Sequence, residues 1–446
     1  MGTAPPPADT FDPLAPSGSS ALLTDHYELT MVQAALTDGT AHRRCVFEVF
    51  ARSLPAGRRY GIVAGTGRVL DAIEAFRFTD DQLAWLEAAH VVDDATLGYL
   101  RDYRFTGDVS GYAEGEPYFP YSPVLTVQAE FAEAVLLETV LLSILNHDCA
   151  IASAASRMAM AAGDRPCIEM GSRRTHEAAA VAAARAAFVG GFASTSNLAA
   201  GHRYGIPTRG TAAHSFTLLH DDERAAFASQ VAALGVSTTL LVDTYDVAAG
   251  VRTAVQMAGT GLGGVRLDSG DLIDQAHRVR RQLDELGARQ TAIVVTSDLD
   301  EYSIAALAVA PADAYGVGTQ LVVGSGAPTA AMVYKLVARE DREATMVPVE
   351  KRSSGKPSRG GRKTAVRRLR HGTAHAEVVV VGEVPDAAGY DDRPLQVPLV
   401  RAGEVVGREP VATARTRQRR GVDELPDDAR KMSDGEPAIP TTEGRT

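Results

Sequence analysis

The chain has 446 residues, 45% of them hydrophobic and 23% charged, which is the composition of a globular protein large enough for two or three domains. Its net charge of −11 argues against a general attraction to nucleic acid, and no apolar run reads as long enough to cross a bilayer. Three widely spaced cysteines, Cys45, Cys149 and Cys167, fit a reducing compartment, so a cytoplasmic protein is expected, with neither a disulfide framework nor a zinc site.

Residues 1–20 are rich in Pro, Ser and Ala, lack a basic start and an apolar stretch, and read as a disordered leader and not a signal peptide. Residues 22–36 have helical periodicity, with Asp25 placed to help the first turn and Tyr27 on the helix. Residues 45–50 alternate as CVFEVF and read as a strand, followed by a loop in which Arg52, Arg58 and Arg59 are candidates for phosphate contact. A helical stretch over 71–85, short strands within 105–116 and 124–127, and a long apolar helix over about 130–146 complete an N-terminal α+β domain, residues 21–150.

From residue 151 the texture changes to short apolar runs alternating with Ala-rich helices. Seven runs stand out, at 167–170, 191–193, 206–213, 238–242, 264–267, 292–296 and 312–317. Such βα repetition implies a parallel sheet with helices outside, and the expected class is α/β, a (β/α) barrel-like domain over 151–330 packed with the α+β domain. A barrel is preferred to a doubly wound sheet because polar groups recur just after the strands, on the face where barrel enzymes build their sites. In order they are Arg173, Ser196, His214, Asp243, Asp268, Asp298 and Thr319. Polar residues there also cap helices, but that role falls more naturally to Thr175, Asp246, Asp271 and Asp300, a few positions on. His214 in GIPTRGTAAHSF can serve as a nucleophile or a proton carrier near neutral pH. The carboxylates suit sugar hydroxyls or magnesium, and the Gly-rich turns at 316–318 and 324–326 suit phosphate.

Residues 331–337, carrying Lys335, form the expected strand that returns the chain to the α+β domain, which takes up 331–415. Residues 351–370 hold nine Lys or Arg and no acid, a run that reads equally as a solvated loop or as an anion contact. Residues 416–446 are expected to be a flexible tail.

These motifs together resemble the nicotinate phosphoribosyltransferases, among the type II phosphoribosyltransferases. The resemblance is carried in order by LLTDHYELTM, FEVFARSLP to YGIVAG, LLETVLLSILN, EMGSRRTHE, GTAAHSF, VRLDSGDL, TSDLDE, YGVGTQL and VYKLV. It implies that nicotinate displaces pyrophosphate from phosphoribosyl pyrophosphate to give nicotinate mononucleotide in NAD salvage, coupled to ATP hydrolysis. His214 would carry the phosphoryl group of ATP, Arg173 would face the pyridine carboxylate or the product phosphate, and Asp243, Arg266 and Asp268 would bind ribose and pyrophosphate with Mg2+. Ser297, Asp298, Gly318 and Thr319 match the phosphate-binding turns, and Arg52 and Lys335 lie in matching segments. Tyr27 would stack on the pyridine ring from the neighbouring subunit, so the resemblance also implies a homodimer with shared active sites. An aspartate in nicotinamide-using relatives stands where this chain has Ser196, which favours the acid over the amide; Met170 replaces an aromatic of those relatives. The alternatives are a nicotinamide-using or other type II phosphoribosyltransferase, a barrel lyase or isomerase acting on a phosphosugar, and a catalytically silent nucleotide-binding regulator. The absence of lysine between 151 and 330 weighs against a Schiff-base lyase, and the intact His214, Asp243 and Asp268 weigh against a silent relative.

Overall fold

The structure is a computed structural model that describes residues 18–351, 359–382, 384 and 387–443. The chain forms two compact units, one from residues 1–153 and 327–446, the other from 154–326.

In the first unit, strand Arg44–Ala51 is buried from Cys45 onward and runs antiparallel between Leu125–Glu130 and Met332–Glu340. These are the centre of a seven-stranded sheet that includes Asp108–Tyr112 and Gln396–Arg401. Every residue from Cys45 to Ala51 is buried, so both faces of this strand are covered and the alternation of CVFEVF is filled by core on each face. Phe47 stacks on Tyr334 with ring centroids 4.7 Å apart, a contact worth about 0.5–1.5 kcal/mol beyond area burial. The helix expected over 22–36 runs over His26–Asp38, after a separate 3-10 turn at Ala21–Leu23, and Asp25, placed to help the first turn, is its N-cap in a capping box with Glu28.

Three features of this unit differ from the sequence reading. The single helix expected over about 130–146 is a short helix, Phe131–Val135, followed by Glu138–Ala162, which runs on past residue 153 into the second unit. The longer helix continues through Asn-His-Asp with Asp148 fully buried and accepting from Arg68 at 2.8 Å, and the Ala-rich continuation meets no Gly or Pro before Gly163. Residues 131–162 are also long and apolar enough to cross a membrane by length and composition, contrary to expectation; 67% of the most apolar window is buried by the protein itself, as in a core helix.

Secondly, part of the basic run is a strand, Lys363–Arg370, and not a loop. Lys363 Nζ lies 2.6 Å from the buried Glu48, the fully buried Arg367 pairs with Glu377 at 2.9 Å, and Arg368 binds Asp392 through two nitrogens. These cations are neutralised within the fold, so they are not the expected anion contact; residues 352–358 lie outside the described ones. Thirdly, the segment read as a flexible tail is built in. Helix Val411–Asp423 buries Ala414, Gln418 and Gly421, Ile439 is buried, and Thr441–Glu443 pairs in parallel with Thr373–Val381. Residues 1–17 of the expected leader lie outside the described residues.

The second unit holds a parallel sheet of six strands: β1 (Cys167–Glu169), β2 (Ser194–Thr195), β3 (Thr239–Leu241), β4 (Gly264–Leu267), β5 (Ala292–Ser297) and β6 (Ala314–Val317). Their order in the sheet is β2-β1-β6-β5-β4-β3, so the first and last strands of the repeat are neighbours and the ladder is open between β2 and β3. Among the described residues the hydrogen-bonded ladder does not close, and what the structure shows is a mixed α/β unit with a parallel sheet. The run expected to be a strand at 206–213 sits at that gap and makes a single parallel bridge, Thr208 to Thr195. Pro207 has no N–H to offer a ladder, and Gly205 at φ 68° ends the preceding helix, so the segment crosses the edge without pairing along it.

Candidate active site

The carboxyl ends of β3, β4 and β5 bring together the residues around which the site is built. Asp243 follows β3, and its Oδ2 accepts from the Asp268 amide and the Ser269 hydroxyl, both at 2.9 Å. Asp268 follows β4. Its Oδ1 accepts from the Thr296 hydroxyl, near the end of β5, and from Arg266 Nη2 at 3.2 Å. Arg266 projects from β4 and donates from Nε to Thr296 Oγ1 at 2.9 Å. Its Nη1 reaches the Thr211 hydroxyl at 3.1 Å and the Ala212 carbonyl at 3.2 Å, which ties the segment before His214 to the same rim.

His214 is the first residue of a short helix, His214–Leu219, and does not end a strand. Its Nδ1 lies 3.1 Å from Thr244 Oγ1, and its Nε2 lies 4.0 Å from Asp268 Oδ2. In the tautomer with the proton on Nδ1, Thr244 Oγ1 accepts the hydrogen bond from Nδ1–H and Nε2 keeps its lone pair free for a reacting atom. Burial raises the Asp268 carboxyl, but the Thr296 hydrogen bond, Arg266 and His214 outweigh it and hold the group below its ordinary range. Asp268 is thus ionised at neutral pH.

The remaining rim residues fall into two sets. Asp298 accepts from Thr319 Oγ1 at 2.9 Å, joining the ends of β5 and β6, with Gly318 opening the Thr319–Val322 turn of helix and Ser297 exposed beside them. Gly316 has no room for a side chain, since a Cβ there would meet Met170 Sδ at 2.8 Å. On the other side, Arg173 is exposed in the turn after β1 and Ser196 is exposed after β2. The helix after β2 is capped by Asn197, whose side chain accepts from Ala200 N at 2.8 Å, so Ser196 does not serve as its cap. Capping by Asp246, Asp271 and Asp300 is as the spacing indicated, whereas His176 and not Thr175 caps the helix after β1.

Tyr27, Arg52 and Lys335 belong to the first unit. Tyr27 is 45% exposed, and burial together with Glu138 and Glu28 pushes its hydroxyl up to about 12. Arg52 keeps a buried Nε without a hydrogen-bond partner among the described residues. Lys335 donates to the Tyr334 carbonyl at 2.7 Å and lies 4.0 Å from Glu138. Arg59, once a candidate for phosphate, donates to the carbonyls of Asp434 and Glu436 and is spent on the C-terminal segment. Sequence reasoning missed Thr296 and Thr244, hydroxyls that orient Arg266, Asp268 and His214; the local signal for Thr296 is a polar residue directly after the apolar run 292–295.

Among the described residues no three or more His, Cys, Asp or Glu side chains form a ready metal cage. Mg2+ does not require one, since one or two carboxylates suffice when phosphates and water fill the other positions. Among the described residues Asp243 Oδ1 is buried without a hydrogen-bond partner, and an acceptor left over in this way beside Asp268 fits such a cation.

The comparisons with known proteins agree with one another. The sequence model of the nicotinate phosphoribosyltransferase N-terminal domain matches residues 22–146, and that of the nicotinate phosphoribosyltransferase family matches residues 166–383. The chain belongs to the nicotinate phosphoribosyltransferase family. It is 58% identical to nicotinate phosphoribosyltransferase pncB1 of Mycobacterium tuberculosis, over 98% of each chain. It is 38% identical to the Bacillus subtilis nicotinate phosphoribosyltransferase, covering 80% of this chain and 75% of that one. Among solved structures, human nicotinic acid phosphoribosyltransferase superposes with a TM-score of 0.78 at 25% identity, over 95% of this chain and 97% of that chain.

Proposed function

We infer that the protein is a nicotinate phosphoribosyltransferase of NAD salvage, forming nicotinate mononucleotide and pyrophosphate from nicotinate and phosphoribosyl pyrophosphate. The observation that carries this reading is the convergence of Asp243, Arg266, Asp268 and His214 at three neighbouring strand ends in a chain so close to curated nicotinate phosphoribosyltransferases. The pyridine nitrogen attacks the anomeric carbon with its lone pair, and the bond to pyrophosphate breaks with its electrons leaving on the pyrophosphate. Positive charge grows on the ribose as that bond lengthens, and an ionised Asp268 held by Thr296 and Arg266 offers a fixed opposing charge. Asp243 and Asp268 would hold Mg2+, which when bound neutralises the pyrophosphate and eases its departure. Arg266 binds phosphate from the same rim, while Ser297, Asp298, Gly318 and Thr319 form the neighbouring turn for the product phosphate. Arg173 pairs with the substrate carboxylate, and Ser196 leaves that carboxylate unopposed.

ATP enters through His214. Nε2 attacks the γ-phosphorus, an N–P bond forms, and ADP departs with the electrons of the broken P–O bond. Thr244 fixes the ring from Nδ1. We also take residues 206–213 to complete a barrel-like arrangement between β2 and β3, the protein to be cytoplasmic, and the active unit to be a homodimer in which Tyr27 of one subunit stacks on the pyridine in the other. Incubation with Mg2+ and γ-labelled ATP should leave an acid-labile, base-stable phosphoryl group that His214→Ala does not acquire. Label retained by His214→Ala would refute the assignment. Pyrophosphate release from nicotinate that ATP leaves unchanged would refute the coupling.

A further inference from the structure

Glu169, the last residue of β1, is fully buried and has no part in the chemistry above. Its two carboxylate oxygens face different strand ends. Oε1 accepts from the Gly171 amide in the turn leaving β1, and Oε2 accepts from the Thr195 hydroxyl at the end of β2. Thr195 Oγ1 accepts in turn from the Asn197 amide at 2.9 Å, and Asn197 Nδ2 donates to Ser172 Oγ at 3.0 Å. The Ser196 amide donates to the Glu169 carbonyl at 2.8 Å. One buried glutamate therefore closes a ring of hydrogen bonds that joins the two turns, with Arg173 and Ser196 exposed on it. The fit is close, because a Cβ on Gly171 would collide with Val322 and approach Glu169 Oε1 to 3.1 Å.

The choice of residue is costly on stability grounds alone. Burial raises the Glu169 carboxyl, with the Thr195 and Gly171 hydrogen bonds opposing, and no cation contributes. A buried carboxyl without a counter-charge is poor value for packing, where an apolar residue of similar size would serve better. What it supplies that an apolar residue cannot is two acceptors at a fixed separation, which hold two turns in register.

We propose that Glu169 is a positioning residue for the pyridine subsite, fixing the Arg173 turn against the Ser196 turn so that both meet an aromatic monocarboxylate together. The inference rests on the assignment of Arg173 and Ser196 to that subsite. Arg173 is set by the turn's backbone and not by any contact of its own with Glu169, so geometry is all that Glu169 transmits.

Steady-state kinetics of the full-length enzyme, with nicotinate and phosphoribosyl pyrophosphate varied separately, tests this. Thr195→Val keeps the shape and removes the hydroxyl, and Glu169→Gln keeps one acceptor and replaces the other. Both should raise the KM for nicotinate, by about tenfold for Thr195→Val, the size expected for one buried hydrogen bond to a charged group, and less for Glu169→Gln. The KM for phosphoribosyl pyrophosphate should hold within about twofold, because the Asp243–Arg266–Asp268 rim is untouched. Arg173→Ala should raise the nicotinate KM by itself, and in that background Thr195→Val should cost clearly less than alone, since the group being positioned is gone. Equal losses for both substrates, or effects of Thr195→Val and Arg173→Ala that simply multiply, would reduce Glu169 to a stabilising role and overturn the inference. If Arg173→Ala raises the nicotinate KM while Thr195→Val and Glu169→Gln do not, the inference fails and the subsite reading survives. If Arg173→Ala leaves it unchanged, the subsite reading itself fails. Should Glu169→Gln not fold, Thr195→Val alone decides.

Discussion

Thr296→Val tests whether the rim is held together by hydroxyls. Thr296 is buried near the end of β5, accepts from Arg266 Nε at 2.9 Å and donates to Asp268 Oδ1. Valine keeps the methyl group that packs beside Gly316 and removes only the hydroxyl. Two charged groups then lose a partner, but Arg266 Nη2 still reaches Asp268 directly at 3.2 Å, so the net loss should be that of about one charge-assisted hydrogen bond. Such a bond contributes about 1.5–3 kcal/mol, which corresponds to a fall of roughly tenfold to 150-fold in kcat/KM for phosphoribosyl pyrophosphate. The assay is pyrophosphate release at saturating nicotinate, with the nicotinate KM measured alongside and expected to stay put. Thr296→Ser, which retains the hydroxyl, should recover most of the activity. A Thr296→Val enzyme within twofold of the parent, or a Thr296→Ser enzyme equally impaired, would refute the reasoning, because the hydroxyl would then be dispensable.

Ser196→Asp should weaken nicotinate use selectively over nicotinamide, since a carboxylate there repels the substrate's own; similar turnover of acid and amide by the parent would remove the basis for that role. Tyr27→Ala and His214→Ala enzymes should each be poor alone, yet a verified heterodimer made by co-refolding should regain one working site; no recovery would place Tyr27 within its own subunit's contacts, where Glu138 and Thr139 already engage it. Glu223 lies at the start of helix Glu223–Leu234 with Oε1 buried and without a hydrogen-bond partner among the described residues, and burial first and Asp246 second push its carboxyl up to about 7. A folded-state value above the unfolded one means that its contribution is fully present below pH 4.5 and is lost as the pH rises through about 7. Glu223→Gln should therefore flatten the fall in thermal midpoint between about pH 5 and 8, and an unchanged slope would show that Glu223 is not the group responsible.

The parts of the site that could be read in the sequence are those whose meaning is local. A cap and a site residue both follow a strand, but a cap must sit at the first turn of the next helix, so Asp243 and Asp268 separate from Asp246 and Asp271 by spacing alone. The same rule fails by one residue at Thr175, where His176 takes the cap, because both side chains can accept from the first turn. What spacing cannot supply is a partner distant in the chain. Thr296 reads as an ordinary β-former until Asp268 and Arg266 are brought against it, and Glu169 reads as a charged strand end until Thr195 reaches it from the next strand. The run at 206–213 misled for a related reason: its composition permits a strand, but only the neighbouring edge could have revealed that one bridge was all it makes.

The basic residues carry the argument furthest. A sequence displays a cation without its counter-charge, so the run holding Lys363, Arg367 and Arg368 read as readily as an anion contact as it did as a solvated loop. Glu48 is 315 residues from Lys363, and no local pattern could have paired them. A phosphate gains little from a guanidinium whose charge a buried carboxylate already cancels, because breaking the Arg367–Glu377 pair would strand a charge in the core at about 3–5 kcal/mol. Arg173 carries no such obligation in its exposed turn, and Arg266, although paired, shares Asp268 with the rim that would receive the pyrophosphate. Binding strength for a phosphorylated substrate therefore follows which cations the fold has left free to act, and that sorting depends on where the carboxylates go.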